Sequence, residues 1–194
     1  MAELEYCRSV LLRAVKDLRT EQLDFLVFPD SKSIGETLLH IGGFEFLMIS
    51  VSAFKNGRDP DDDLWRILQP GFSREAGFAA PRDYPLKHYL DLLSEVRALT
   101  IRHLGQDPRR KMASKDAFPI RELMEVLCDD DADHDRQSYD KLSLGVAASF
   151  KDDGAENEVG KVDITSLLGL HETYHRGQIT FQKYVYSRTT AGSR

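Results

Sequence analysis

Residues 167–182 read LLGLHETYHRGQITFQ, and two histidines, His171 and His175, stand four apart within a segment of helical patterning. On an α-helix four residues make about one turn. The two imidazoles therefore share a face, with their Cα atoms about 6 Å apart along the axis, a spacing suited to joint grasp of one metal ion. Gln178 falls on the same face one turn further on, and Leu167, Leu168, Leu170, Tyr174 and Ile179 supply apolar surface that can bury the helix beside its site. Two ligands hold an ion poorly, so a third must come from elsewhere in the chain.

Working outward, the spacing predicts a helix over 164–186, opened by Asp163 as a cap. Three more helices precede it. The first spans 3–26, with Leu4, Cys7, Leu11, Val15 and Leu18 at intervals of three and four, Arg8, Arg13, Lys16 and Arg19 on its wet side, and Pro29 as its stop. The second, 34–54, opens on a capping box, because Glu36 is placed to reach back to the Ser33 amide. The third, 86–104, has Pro85 in its first turn, Tyr89, Leu93, Val96 and Leu99 or Thr100 on one side, and Gly105 as its end. Asn56 and Gly57 begin a long connection that carries Trp65, Phe72 and Phe78, which reads as a loop folded onto the helices rather than a free linker. Residues 106–162 depart from this pattern: a short helix over 120–127, an acidic run, and an alternating stretch from Leu142 to Phe150 that Asp152, Asp153 and Gly154 can turn into a hairpin. The expected architecture is a single all-α domain over 1–194, a four-helix bundle with an irregular insertion at 106–162 between its third and fourth helices.

The candidates for a third ligand are His40, His88, His103 and His134. His40 is best placed, in the middle of the strongly apolar second helix, IGETLLHIGGFEFLMISV, where Gly42 and Gly43 allow close approach of another backbone. A lone histidine on an apolar helix is more often a buried group bonded to a carbonyl; the downstream pair shifts that balance. Were the second and fourth helices to pack together, three neutral imidazoles could meet at one ion and leave coordination positions open. His88 and His103, near the ends of the third helix, suit surface roles.

These residues carry a resemblance. SIGETLLHIGGFE followed far downstream by HETYHRGQI resembles the DinB/YfiT-like family of metalloenzymes, over residues 33–45 and 163–184 and the helix order around them. The resemblance implies a four-helix bundle with one divalent metal bound by His40, His171 and His175. Some members of that family transfer low-molecular-weight thiols, some related proteins are thiol-dependent isomerases, and many have no known reaction, so the resemblance implies the site more firmly than the chemistry.

Two rival motifs are weaker. His171 to His175 satisfies HExxH, in which Glu172 would be the general base of a zinc protease. A metzincin would need Gly and His where this chain has Gln178 and Phe181, and no acidic residue follows Glu172 to complete the alternative ligand set. Glu172 is thus read as a surface carboxylate or one that supports the ligands from behind. Asp129, Asp131, Asp133, Gln137 and Asp140 occupy EF-hand positions, but His134 stands in place of the turn glycine and Asp140 in place of the bidentate glutamate, so a solvated acidic turn is expected.

With 41% hydrophobic and 30% charged residues, the chain has globular composition. A net charge of -6 without a basic face disfavours nucleic acid, and no segment suits a signal peptide or a membrane span, so a cytoplasmic protein acting on a small molecule is expected. Cys7 and Cys128 sit in no CxxC motif and imply no disulfide framework. Imidazole donors suit zinc, nickel, iron and copper and admit manganese; zinc is the ion expected here. The functional expectation is a transferase moving a low-molecular-weight thiol onto an electrophile, or a metal-dependent hydrolase, with a non-catalytic metal- or ligand-binding bundle as the alternative. Amphipathic bundles of this kind can pair, and a homodimer is compatible with the pattern.

Overall fold

The computed structural model describes residues 2–53, 62–71, 80–106 and 164–191, and every regular element among them is helical. The helices are α1 (Ala2–Val15), α2 (Thr20–Leu23), α3 (Ile34–Ala53), α4 (Asp62–Leu68), α5 (Leu86–Gln106) and α6 (Ile164–Ala191), with a 3-10 turn at Gln69–Gly71. α3 packs on α5 and on α6, and α1 packs on α6, so these long helices make the core bundle while α2 and α4 are short additions. The short helix, acidic run and hairpin expected within 106–162, the Asp163 cap, and Phe72 and Phe78 lie outside the described residues.

α3 is the central element because it is apolar nearly all round, burying Ile34, Leu38, Leu39, Ile41, Phe44, Phe46, Met48 and Ile49. Its start is fixed by the predicted capping box. The Ser33 amide donates to Glu36 Oε2 at 2.7 Å, and the Glu36 amide donates to Ser33 Oγ at 3.2 Å. Both residues are buried, so the polar groups of this helix end are satisfied inside the protein rather than by water.

The first expected helix differs from the observed one. It stops at Val15, the Leu18 amide closes a turn onto the Val15 carbonyl at 3.0 Å, and a new turn begins at Thr20, with Gln22 Oε1 accepting from the Arg19 amide at 3.1 Å. The physical reason is Leu23. In an unbroken helix it would point roughly 80° away from Val15, off the buried stripe; after the break both Leu18 and Leu23 reach the core. Arg8, expected on the wet side, is also buried, and the stripe that faces inward is Leu4, Arg8, Leu11 and Val15. α5 and α6 begin where expected but run on to Gln106 and Ala191.

The connection after α3 does fold back onto the bundle where it is described. Trp65 of α4 stacks on Phe46 at 6.1 Å between ring centroids, and Leu64 and Leu68 are buried in the core. The close approaches expected at Gly42 are made by side chains: a Cβ there would stand 3.2 Å from Leu68 Cδ2. Backbone meets backbone at Gly71 instead, where a Cβ would come within 2.6 Å of the Leu39 carbonyl carbon and 2.8 Å of His40 Cα. Only glycine lets the 3-10 turn lie against α3 at the level of His40.

Candidate metal centre

α3 contributes His40 and α6 contributes His171 and His175, and the packing of the two helices brings the three imidazoles together. His171 Nε2 lies 3.2 Å from His40 Nε2 and 3.0 Å from His175 Nε2. Nitrogens bound at 2.0–2.1 Å stand about 3.3 Å apart around a tetrahedral ion, and about 2.9 Å apart on adjacent corners of an octahedral one at the same bond length. The observed spacings of 3.0 and 3.2 Å fit either geometry. A proton on His171 Nε2 could satisfy one of these close pairs well; a cation among the three would satisfy all of them. Among the described residues these histidines form a cluster able to hold a metal ion, and no carboxylate or thiol belongs to it.

The cluster is held neutral. Burial is the first cause that keeps His40 and His171 well below the ordinary imidazole range, followed by the neighbouring His175; His40 and Lys32 add to it at His171, and Lys32 adds to it at His40, where a hydrogen bond with the Gly71 backbone acts in the opposite sense. Burial also lowers His175 to about 4, against the hydrogen bond with Gln178 that acts to raise it and with a further lowering from Lys32. Unprotonated nitrogens at neutral pH are what metal binding requires.

Ring orientation has identifiable causes. Phe44, one turn beyond His40, stacks on His171 with centroids 3.7 Å apart and planes 13° from parallel. His175 Nδ1 donates to Gln178 Oε1 at 2.7 Å, which leaves its Nε2 lone pair facing the cluster. Gln178, read from the sequence as sharing the ligand face, thus touches a histidine of the cluster directly. Phe44 gave no signal in the sequence, since an aromatic in an apolar helix reads as ordinary core.

Glu172 is not at the surface. It is 2% exposed, and its carboxylate accepts from Arg8 Nε at 2.9 Å and from Arg97 Nη2 at 2.9 Å. Glu45 completes the set, accepting from Arg8 Nη2 at 2.8 Å and Arg97 Nε at 2.6 Å. Arg8 Nη1 donates to the Leu93 carbonyl and Arg97 Nη1 to the Leu4 carbonyl, and Glu5 Oε1 lies 3.5 Å from Arg97 Nη1. Burial would pull the Arg97 guanidinium down, but its hydrogen bond and charge interaction with Glu45, then Glu172 and Glu5, outweigh that and raise it. With both carboxylate oxygens committed to arginines, Glu172 has no proton-accepting role at the imidazoles, which removes the base from the HExxH reading. His88 stacks on Tyr84 at 4.3 Å and His103 lies in the last turn of α5; neither joins the cluster, and His134 lies outside the described residues.

An all-α bundle carrying a buried tris-histidine cluster defines a class of metal-binding helical protein. The DinB superfamily model matches residues 3–138, most of the chain, and the chain belongs to that superfamily. The match includes His40 and the first part of the segment 106–162, and it ends before α6, so the histidine pair enters the site through geometry rather than through the match. No protein of curated function and no solved structure matches the chain. No described helix is long and apolar enough to cross a membrane.

Proposed function

We propose that this chain is a metal-dependent enzyme of the four-helix DinB type in which His40, His171 and His175 hold one divalent ion, zinc in the first instance, and that it transfers a low-molecular-weight thiol to an electrophilic small molecule. The observation that carries the reading is the convergence of three Nε2 atoms, neighbours 3.0 and 3.2 Å apart, with no carboxylate among the described residues joining them. An ion with three neutral ligands keeps its full positive charge, and such a Lewis acid stabilises a thiolate at neutral pH. The protein's own part is positional. Phe44 fixes the plane of His171, Gln178 fixes the rotation of His175, and the apolar residues of α3 exclude water from the buried side of the cluster. A structural site is usually closed by four protein ligands, and a set of three among the described residues supports catalysis over a clasp.

The test is elemental analysis of protein purified without added metal, joined to a screen of small thiols against electrophiles. The expected result is one ion per chain and thiol-dependent turnover that chelation abolishes and metal restores. Absence of metal together with no measurable affinity for zinc, nickel, iron or manganese would overturn the site. Full occupancy without turnover in any thiol or hydrolytic assay would favour the binding-protein alternative.

A further inference from the structure

A lysine stands beside the histidine cluster. The Lys32 carbonyl accepts from Gln182 Nε2 at 2.8 Å, and the next residue, Ser33, opens the buried capping box of α3. A main-chain carbonyl can only accept, so this bond fixes the amide of Gln182 and the place of Lys32 in the seam between α3 and α6. Gln182 lies seven residues past His175, and His40 lies seven past Ser33. Seven residues are about two helical turns, so on both helices Lys32 stands over the ligand face, roughly 10 Å along the seam from the histidines. The four-carbon stem of lysine covers about half of that distance. Burial is the main cause that holds the three imidazoles low, and the Lys32 charge acts in the same sense on His40, His171 and His175 alike. His171 and Lys32 both keep partial exposure, so a guest from solution can touch the two together.

Beside a site for a cation, a lysine is a cost, because like charges repel. The same charge turns favourable once an anion is held there, since the anion is drawn to both. We infer that Lys32 is a specificity-determining residue of the metal centre: it selects a thiol that also carries a carboxylate, whose sulfur meets the ion while the carboxylate meets the Lys32 ammonium. This inference rests on the metal-site reading given above and narrows its thiol to an acidic one. A carboxylate fits the place better than a phosphate. Phosphate is commonly gathered by the free amides of a helix start, whereas the amides of Ser33, Glu36 and Thr37 are already bonded to Glu36 Oε2, Ser33 Oγ and the Ser33 carbonyl. The Lys32 ammonium is a compact point charge and suits a single acidic group.

The experiment compares wild type, Lys32→Gln, Lys32→Arg and Lys16→Gln. Competition titration reports zinc affinity, and circular dichroism with thermal melting checks the fold of each. Calorimetry on the zinc-loaded proteins then reports binding of 3-mercaptopropionate and of its neutral analogue 3-mercaptopropionamide. Lys16 is exposed just past the end of α1, so its variant removes the same charge from the surface as a control. Wild type should bind the acidic thiol more tightly than the amide. Lys32→Gln should raise zinc affinity about 10-fold, by removing a like charge, and should lower the preference for the acidic thiol about 10-fold. Lys32→Arg, which keeps the charge, and Lys16→Gln should stay near wild type in both. The opposite signs separate this role from a structural one, which would weaken zinc and both thiols together. An unchanged preference in folded, zinc-loaded Lys32→Gln would overturn the inference alone, as would an equal fall in Lys16→Gln, or zinc-loaded wild type that binds neither thiol or both equally. If wild type binds no zinc, the metal-site reading fails and the inference falls with it.

Discussion

The ionic cluster of Arg8, Glu45, Arg97 and Glu172 draws one residue from each of α1, α3, α5 and α6, with Glu5 of α1 at its edge 3.5 Å from Arg97 Nη1, and every carboxylate oxygen of Glu45 and Glu172 accepts a bond within it. Among the described residues the histidine cluster draws on α3 and α6 alone, its three nitrogens facing one another across 3.0 and 3.2 Å. Both sit within the core, and Glu172 follows His171 directly in sequence. The difference separates two uses of buried polarity. A set whose members satisfy one another adds definition to the fold and has nothing left to offer a ligand, whereas a set with lone pairs in common is completed only by a guest.

The sharpest way to break this contrast is to take a member from the ionic set. Glu172→Ala leaves two buried guanidiniums short of a counter-charge and should cost about 3–5 kcal/mol in denaturant unfolding, a large share of the roughly 5–15 kcal/mol available to a domain. A cost below about 1 kcal/mol with loss of turnover would instead place Glu172 with the imidazoles. Taking a member from the histidine set should leave the fold intact and act on binding. His171→Ala and His40→Ala should each weaken zinc binding by more than the roughly 10- to 100-fold expected of an outer partner, read by competition titration; unchanged affinity in His40→Ala would remove α3 from the site. Gly71→Ala presses a methyl group onto the α3 backbone at His40. Overpacking of this kind costs about 1–3 kcal/mol, and weaker zinc binding should accompany the lower melting temperature. Ser33→Ala deletes one half of the buried capping box and should cost about 1 kcal/mol without touching metal affinity. The smallest effect is expected at His88→Ala and His103→Ala, within about 0.5 kcal/mol and with unchanged zinc affinity, since both lie outside the cluster.

The parts of this architecture that depend on local spacing were legible in the sequence. His171 and His175 are one turn apart, Ser33 and Glu36 stand at capping-box spacing, and Tyr89, Leu93 and Val96 mark the buried face of α5, so helix geometry alone places them. The ionic cluster was not legible, because Arg8 and Glu172 meet across 164 positions and nothing local to either names its partner. Two signals pointed toward it all the same: Arg8 interrupts an apolar stripe at the spacing of Leu4 and Leu11, and Glu45 stands in the middle of an apolar helix. A charge in such a position is either misread as solvent-facing or has an opposite charge waiting. The break after Val15 escaped for a different reason, since the pattern of leucines suits one long helix almost as well and only the direction of Leu23 distinguishes the two.

Arg8 and Arg97 each bond to both Glu45 and Glu172, so the same two arginines grip α3 five residues past His40 and α6 one residue past His171. That grip sets how far each helix is rotated and slid before any ion is considered. The entropy of bringing distant segments together is met by the folding of the bundle, and an ion arriving later has only side-chain rotations left to order. An ion seated there would behave as an exchangeable occupant of a finished frame. Its residence would follow the supply and competition of metals around the protein, while the frame itself would outlast each departure.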